Sequence, residues 1–264
     1  MMKKALPILR GLGVYLVFLL LPYGLLLTVQ IFWPQAAEAA LWFLGNFSSL
    51  ITVLLLLALY KLSGRSVRES VGWKPGQVGK GGHIAAFALG ICGNLAVSAV
   101  LNLLPASWVE SYGEQSAQVF GSSMLMNFLT VAVLAPVCEE ILFRGLIFRS
   151  FREVMPFGWA GVLSALLFGA AHVHPLWVCY AFGMGLCFSL MTERKGSLSA
   201  PLAAHAGFNL WSFAVVLVPY SRILTWVFYG GVLQLAFWGI VGLIGALFLW
   251  SRYFSKCSCG DCRP

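Results

Sequence analysis

Three short segments hold the side chains with which this chain could do chemistry. The first is Ala135-Pro136-Val137-Cys138-Glu139-Glu140-Ile141-Leu142-Phe143-Arg144-Gly145. On a helix, Glu139 and Glu140 point about 100° apart, so one environment cannot serve both. Arg144 follows Glu140 by four residues, the spacing of an ion pair on one helix face. Glu139 has no cation at that spacing and faces elsewhere, a carboxylate free to act as general base toward water. The second segment, Phe168-Gly169-Ala170-Ala171-His172, sets Phe168 and His172 on one face among small residues that let a neighbouring helix approach closely. The third, Pro201-Leu202-Ala203-Ala204-His205-Ala206-Gly207-Phe208-Asn209, puts His205 and Asn209 one helical turn apart. His174 falls in a turn beside Pro175 and is a bystander on this reading. Two histidines and a carboxylate could hold zinc with one coordination position open, His172 and His205 joined by Glu139. The same groups could also hydrolyse a bond without metal, with histidine and asparagine as donors. No serine nucleophile elbow and no His-Glu-x-x-His helix is visible.

The elements that must position these groups are membrane helices. Of 264 residues 60% are hydrophobic and 10% charged, where a soluble domain carries about 25% charged residues; mean hydropathy is +0.87. Uncharged runs at 11–33, 41–60, 84–104 and 223–250 each reach the ~20 residues that cross a bilayer as helix. The expected fold is therefore an all-α polytopic membrane protein, one integral-membrane domain over 1–264. Eight spans are expected, near 11–33, 40–60, 83–104, 124–148, 157–173, 175–191, 198–218 and 224–250. The first span is read as uncleaved, because its apolar run exceeds the 7–15 residues of a signal peptide.

The net charge of +8 does not point to nucleic acid, because the cations are sorted by loop. Arg10, the 61–82 loop, Arg149 with Arg152, Arg194 with Lys195, and Arg252 mark alternate boundaries, while Glu38, Glu110 and Glu114 occupy the others. That is the positive-inside pattern, with both termini cytoplasmic. Ionisable groups at bilayer depth are costly unless paired or watered, which makes each a functional candidate. Glu139 lies about ten residues, or ~15 Å, before the interface marked by Arg149, so a helix-end explanation for the two glutamates is the weaker one. A full fifth span would carry His172 to the opposite face, away from Glu139. Pro175 cannot continue a helix from His174, so the 157–191 segment is expected to be a short hairpin buried partly in the membrane. The tail over 253–264 is read as flexible, cytoplasmic and cysteine-rich; Cys257, Cys259 and Cys262 have the close spacing of a soft-metal site but are expected to stay reduced.

Taken as a set, Glu-Glu-x-x-x-Arg, Phe-x-x-x-His and His-x-x-x-Asn resemble the CPBP intramembrane proteases, the CAAX prenyl protease and bacteriocin-processing (Abi) family, over roughly 120–212. The resemblance implies a peptidase whose site is sunk in the membrane of a prokaryotic cell and opens toward the cytosol. It implies that Glu139 activates water, His172 and His205 line the site, Asn209 stabilises the oxyanion, and Glu140 with Arg144 supports the geometry. Substrates would be membrane-anchored, prenylated or otherwise hydrophobic peptides. Two rivals are a non-catalytic immunity or partner-binding protein of the same fold, and a small transporter. The transporter predicts repeat symmetry between halves, and none is apparent.

The topology is testable because 15 of the 17 cations lie on one side of it; Arg144, within a span, and Arg222 are the other two. Single cysteines placed in the 105–121 loop should react with an impermeant thiol reagent on intact cells, and those in the 61–82 loop should not. The opposite labelling would invert the orientation.

Overall fold

The computed structural model describes residues 2–119, 124–216 and 231–255, and those residues hold helices and no strand. The chain is an all-α polytopic membrane protein. Helix α1 spans Met2–Phe32 and α2 Ala37–Leu62. A short α3, Val67–Val71, precedes α4, Gly79–Leu101, and the amphipathic α5, Ala106–Val119. One irregular helix, α6, runs over 124–152. Then come α7, Phe157–Ala170, α8, Pro175–Lys195, α9, Ser199–Val216, and α10, Val232–Leu249, prolonged by a π-type turn at Trp250–Phe254. Five helices are long and apolar enough to cross a membrane: Ala5–Phe32, Pro34–Leu62, Gly79–Leu101, Pro175–Lys195 and Gln234–Phe254. Residues 217–230, where the seventh and eighth expected spans meet, and the Cys257, Cys259 and Cys262 tail lie outside the described residues.

Helix α7 ends earlier than the expected 157–173 boundary. Its 14 residues rise about 21 Å, well short of a ~30 Å hydrocarbon core. The stop is local chemistry. Pro175 occupies the first turn of α8, and His174 caps that helix, its Nδ1 accepting from Leu176 N at 3.2 Å.

Close backbone approach joins α4 to α9. A Cβ added at Gly90 would stand 1.8 Å from Ala204 O, and one at Gly207 would stand 2.1 Å from Phe87 O. With no hydrophobic drive between helices in lipid, such small-residue contacts carry the packing. Asn94 adds a polar tie, donating to Phe208 O at 3.1 Å and to Ser212 Oγ at 2.6 Å. The protein core is built on α6, where Leu142 through Phe148 are all buried. Tyr15 and Phe18 of α1 set their rings edge-on against Phe143, at 6.3 and 5.8 Å between centroids.

Candidate active site

The two glutamates stand in different surroundings, as their angular separation requires. Glu140 is fully buried, and its Oε1 accepts from two donors: Arg144 Nη1 at 3.0 Å and His205 Nδ1 at 2.9 Å. Glu139 keeps 20% of its side chain exposed, and its Oε2 lies 3.7 Å from His205 Nε2. The imidazole of α9 thus stands between the two carboxylates of α6. With Nδ1–H donating to Glu140, Nε2 is the nitrogen presented toward Glu139.

Arg144 is the largest fully buried side chain described. One carboxylate oxygen does not satisfy a guanidinium, and Nε and Nη2 have no hydrogen-bond partner. The ring faces of Phe168 and Phe188 flank it instead, with Cζ 4.3 and 5.1 Å from their centroids. Ring quadrupoles are the compensation available to a cation in a dry site. Gly185 leaves room for this, since Arg144 Nη2 already lies 3.4 Å from where its Cβ would be.

Phe168 also links the histidines. Its centroid is 5.1 Å from that of His172 and 5.9 Å from that of His205. His172 is partly exposed, and its Nδ1 bonds its own helix at Phe168 O, 2.9 Å away, leaving Nε2 directed outward. His174 is buried as the α8 cap, with Nε2 3.5 Å from Ser111 Oγ.

Asn209 does not pair with His205. Its Nδ2 donates to Val131 O at 2.9 Å, and the backbone of α6 explains why that carbonyl is open. Phe128–Leu134 winds as a π-helix, so Ala135 N bonds Thr130 O, five residues back. In that register Val131 O would receive from residue 136, which is proline and has no N–H. Asn209 supplies the missing donor with one amide hydrogen and keeps a second.

A cleft of about 420 Å³ lies beside this segment, lined by Trp42, Asn46 and Ser49 of α2 and by Thr130, Val131 and Ala135 of α6. Ala135 precedes Glu139 by one turn. The cleft reaches Val131, whose carbonyl Asn209 holds, while Glu139, His172 and His205 do not line it.

Zinc is the cofactor that the sequence left open. Among the described residues, no three His, Cys, Asp or Glu side chains gather in a way that could hold a metal ion. His205 directs one nitrogen to each glutamate, and His172 bonds Phe168 O through Nδ1. This donor set does not fit a three-ligand zinc site.

Sequence reasoning missed Phe188, whose ring lies 5.2 Å from that of His205 and beneath Arg144. Nothing in its spacing distinguishes it from the other 19 phenylalanines. Pro136 was legible in the motif, but its link to Asn209 required knowing the π register.

Cutting Arg144 to alanine leaves Glu140 charged and buried with one donor. Loss of one member of a buried pair costs about 3–5 kcal/mol. Arg144→Ala should lower the melting temperature in detergent and the activity together, whereas Arg68→Ala, outside the cluster, should change neither. A parental melting temperature for Arg144→Ala would show that the pair contributes nothing.

Comparison with known proteins places this geometry in a family context. Residues 121–211 match the family model described as Type II CAAX prenyl endopeptidase Rce1-like. YdiL of Bacillus subtilis (strain 168), to which only its name ascribes a membrane peptidase activity, is 25% identical over 188 residues, covering 70% of this chain and 75% of YdiL. A 24.3 kDa protein of Escherichia coli, described as uncharacterized, is 37% identical over 87 residues, 31% of this chain and 40% of its own length. The membrane-embedded CAAX protease MroQ of Staphylococcus aureus (strain USA300) is 26% identical over 128 residues, 46% of this chain and 52% of MroQ. No solved structure matches the chain. Residues 121–211, which hold Glu139, Glu140, Arg144, His172, His205 and Asn209, are thus similar to the Rce1-like CAAX prenyl endopeptidases, a likeness that supports an intramembrane protease.

Proposed function

We propose that the chain is an intramembrane endopeptidase of the glutamate type, cleaving a peptide bond of a membrane-anchored, lipidated or otherwise hydrophobic substrate. The observation that carries the reading is the division of labour across His205: one carboxylate is buried with its Oε1 held by two donors, and the other is partly exposed. Glu140 is occupied by Arg144 and His205, so it orients and does not react. Glu139 is the base. It takes a proton from water as the water oxygen attacks the scissile carbonyl carbon. The carbonyl oxygen gains the negative charge, and the second amide hydrogen of Asn209 is the donor proposed to stabilise it, with His172 and His205 lining the site. Collapse of the tetrahedral intermediate breaks the C–N bond, and Glu139 returns the proton to the leaving amine.

The cleft between α2 and α6 suits a hydrophobic chain approaching from the bilayer. Both termini are assigned to the cytosol on the positive-inside count, so the peptide bond would be presented from that side. The bacterial relatives support a prokaryotic plasma membrane as the setting. A lipid-anchored peptide is the proposed partner, and nucleic acid is not.

Glu139→Gln keeps size and hydrogen bonding while removing basicity. It should fold as the parent and lose cleavage of a membrane-tethered peptide by about 10²–10⁴-fold, the scale of a lost general base. Glu140→Gln should lower melting temperature and activity together. Near-parental cleavage by Glu139→Gln would move the base elsewhere, and an inactive parent with an intact biological phenotype would favour the non-catalytic partner-binding protein. Metal analysis of untagged parent and His205→Ala belongs in the same experiment. Equal, substoichiometric zinc in both accords with the metal-free reading. Stoichiometric zinc lost on substitution would overturn it.

A further inference from the structure

A second cleft, of about 720 Å³, lies where the basic ends of α1, α2 and α6 meet, and none of Glu139, His172 or His205 lines it. Its floor is α3, docked on α6 where Gly145 leaves space; a Cβ there would lie 3.2 Å from Val71. Ser66 caps the start of α3, its Oγ accepting from Glu69 N, and Gly72 ends it in the left-handed region at φ 68°. The missing side chain at Gly72 matters doubly. A Cβ would stand 2.5 Å from Arg149 Nη1, so the guanidinium lies directly across this turn and Nη2 donates to Glu69 O at 3.2 Å.

The charges in the cleft do not balance. Arg10 pairs with Glu153. Arg152 pairs with Glu193 through two hydrogen bonds, of 3.1 and 2.6 Å. That leaves Arg65, Lys74 and Arg149 with Glu69 as the one remaining carboxylate, and among the described residues none of these four is in an ion pair. Arg149 is held by the backbone of α3, and Glu153 and Glu193, each already paired with another arginine, act on it only through space, so the cleft keeps a net positive charge. A planar guanidinium fixed beside two further cations matches the oxygens of a phosphate. The same two helix ends that contribute Arg10 and Tyr60 turn leucines outward, with Leu6, Leu9 and Leu59 exposed and Leu62 at 83% exposure.

We propose that this cleft is a phosphate-binding site, and that the phosphate is the headgroup of an anionic phospholipid whose acyl chains lie against α1 and α2. Phosphate chemistry follows from the three cations, and the lipid source follows from the adjoining leucines at the helix ends, the depth at which headgroups sit.

The test uses the full-length protein, delipidated in a neutral detergent. Its binding to short-chain phosphatidylglycerol, to the matching phosphatidylcholine and to inorganic phosphate is measured by native mass spectrometry and by melting-temperature shift. Phosphatidylglycerol should bind and stabilise, and phosphatidylcholine should do neither. The double variant Arg65→Gln/Lys74→Gln should bind phosphatidylglycerol about thirtyfold more weakly, since each cation near a membrane surface contributes roughly a factor of five. Lys80→Gln, an exposed cation outside the cleft, should bind as the parent does. Arg149→Lys keeps the charge but not the planar fork, and should weaken binding even if the double variant proves unstable. Equal binding of the two lipids, or parental binding by both cleft variants, would overturn the site. Inorganic phosphate binding as tightly as phosphatidylglycerol would overturn the lipid source.

Discussion

A single carboxylate oxygen, Glu140 Oε1, holds the site together. It accepts from Arg144 on its own helix and from His205 on α9. Taking a carboxylate and a guanidinium out of water is expensive, and their attraction offsets this only when geometry is good and the remaining polar atoms find compensation. Here the helix makes the first contact at i,i+4, the imidazole makes the second, and the faces of Phe168 and Phe188 shelter the cation. Each partner comes from a different helix: Phe168 from α7, Phe188 from α8, His205 from α9. Neutralising one buried charge therefore requires four helices to assemble in one arrangement.

That arrangement leaves Glu139 as the carboxylate with freedom. Because His205 is oriented by Glu140, the nitrogen facing Glu139 is determined, and the exposed edge of Glu139 is where a water could be received. The flank of the site is shaped by a second constraint. Pro136 removes a backbone donor just before the glutamate pair, the helix widens into a π turn, and Asn209 covers the carbonyl that results. Widened turns of this kind recur at functional sites because they place a carbonyl or side chain where a regular helix would not.

The short α7 has the complementary role. A helix of full bilayer length would bury only helix–lipid surface at this point. A 14-residue helix stops at the turn before Pro175, and Phe168, one turn from its end, sets its ring against His172 and His205. Glycines at 90 and 207 let α4 and α9 approach to backbone contact, which sets how far His205 can reach across to α6.

The linear chain by itself determined the class, the helices and the reactive residue types. Twenty-residue apolar runs with charges confined to their ends select helices, because backbone groups within lipid are satisfied only in helices or closed barrels and a barrel strand crosses in about ten residues. The Glu140–Arg144 pair and the divergence of Glu139 follow from helical geometry alone, since both are local relations within one turn. What required the tertiary structure were the relations between helices. The imidazole of His205 between two carboxylates, Phe188 beneath Arg144 and Asn209 on the Val131 carbonyl join residues 44 to 78 positions apart, and no spacing rule encodes which turn of one helix meets another. His205 and Asn209 share a face one turn apart, which shows that they meet the same neighbour but not what each one meets there. Packing against α6 gave each its own acceptor, since a buried carboxylate and an orphaned carbonyl each needed a donor.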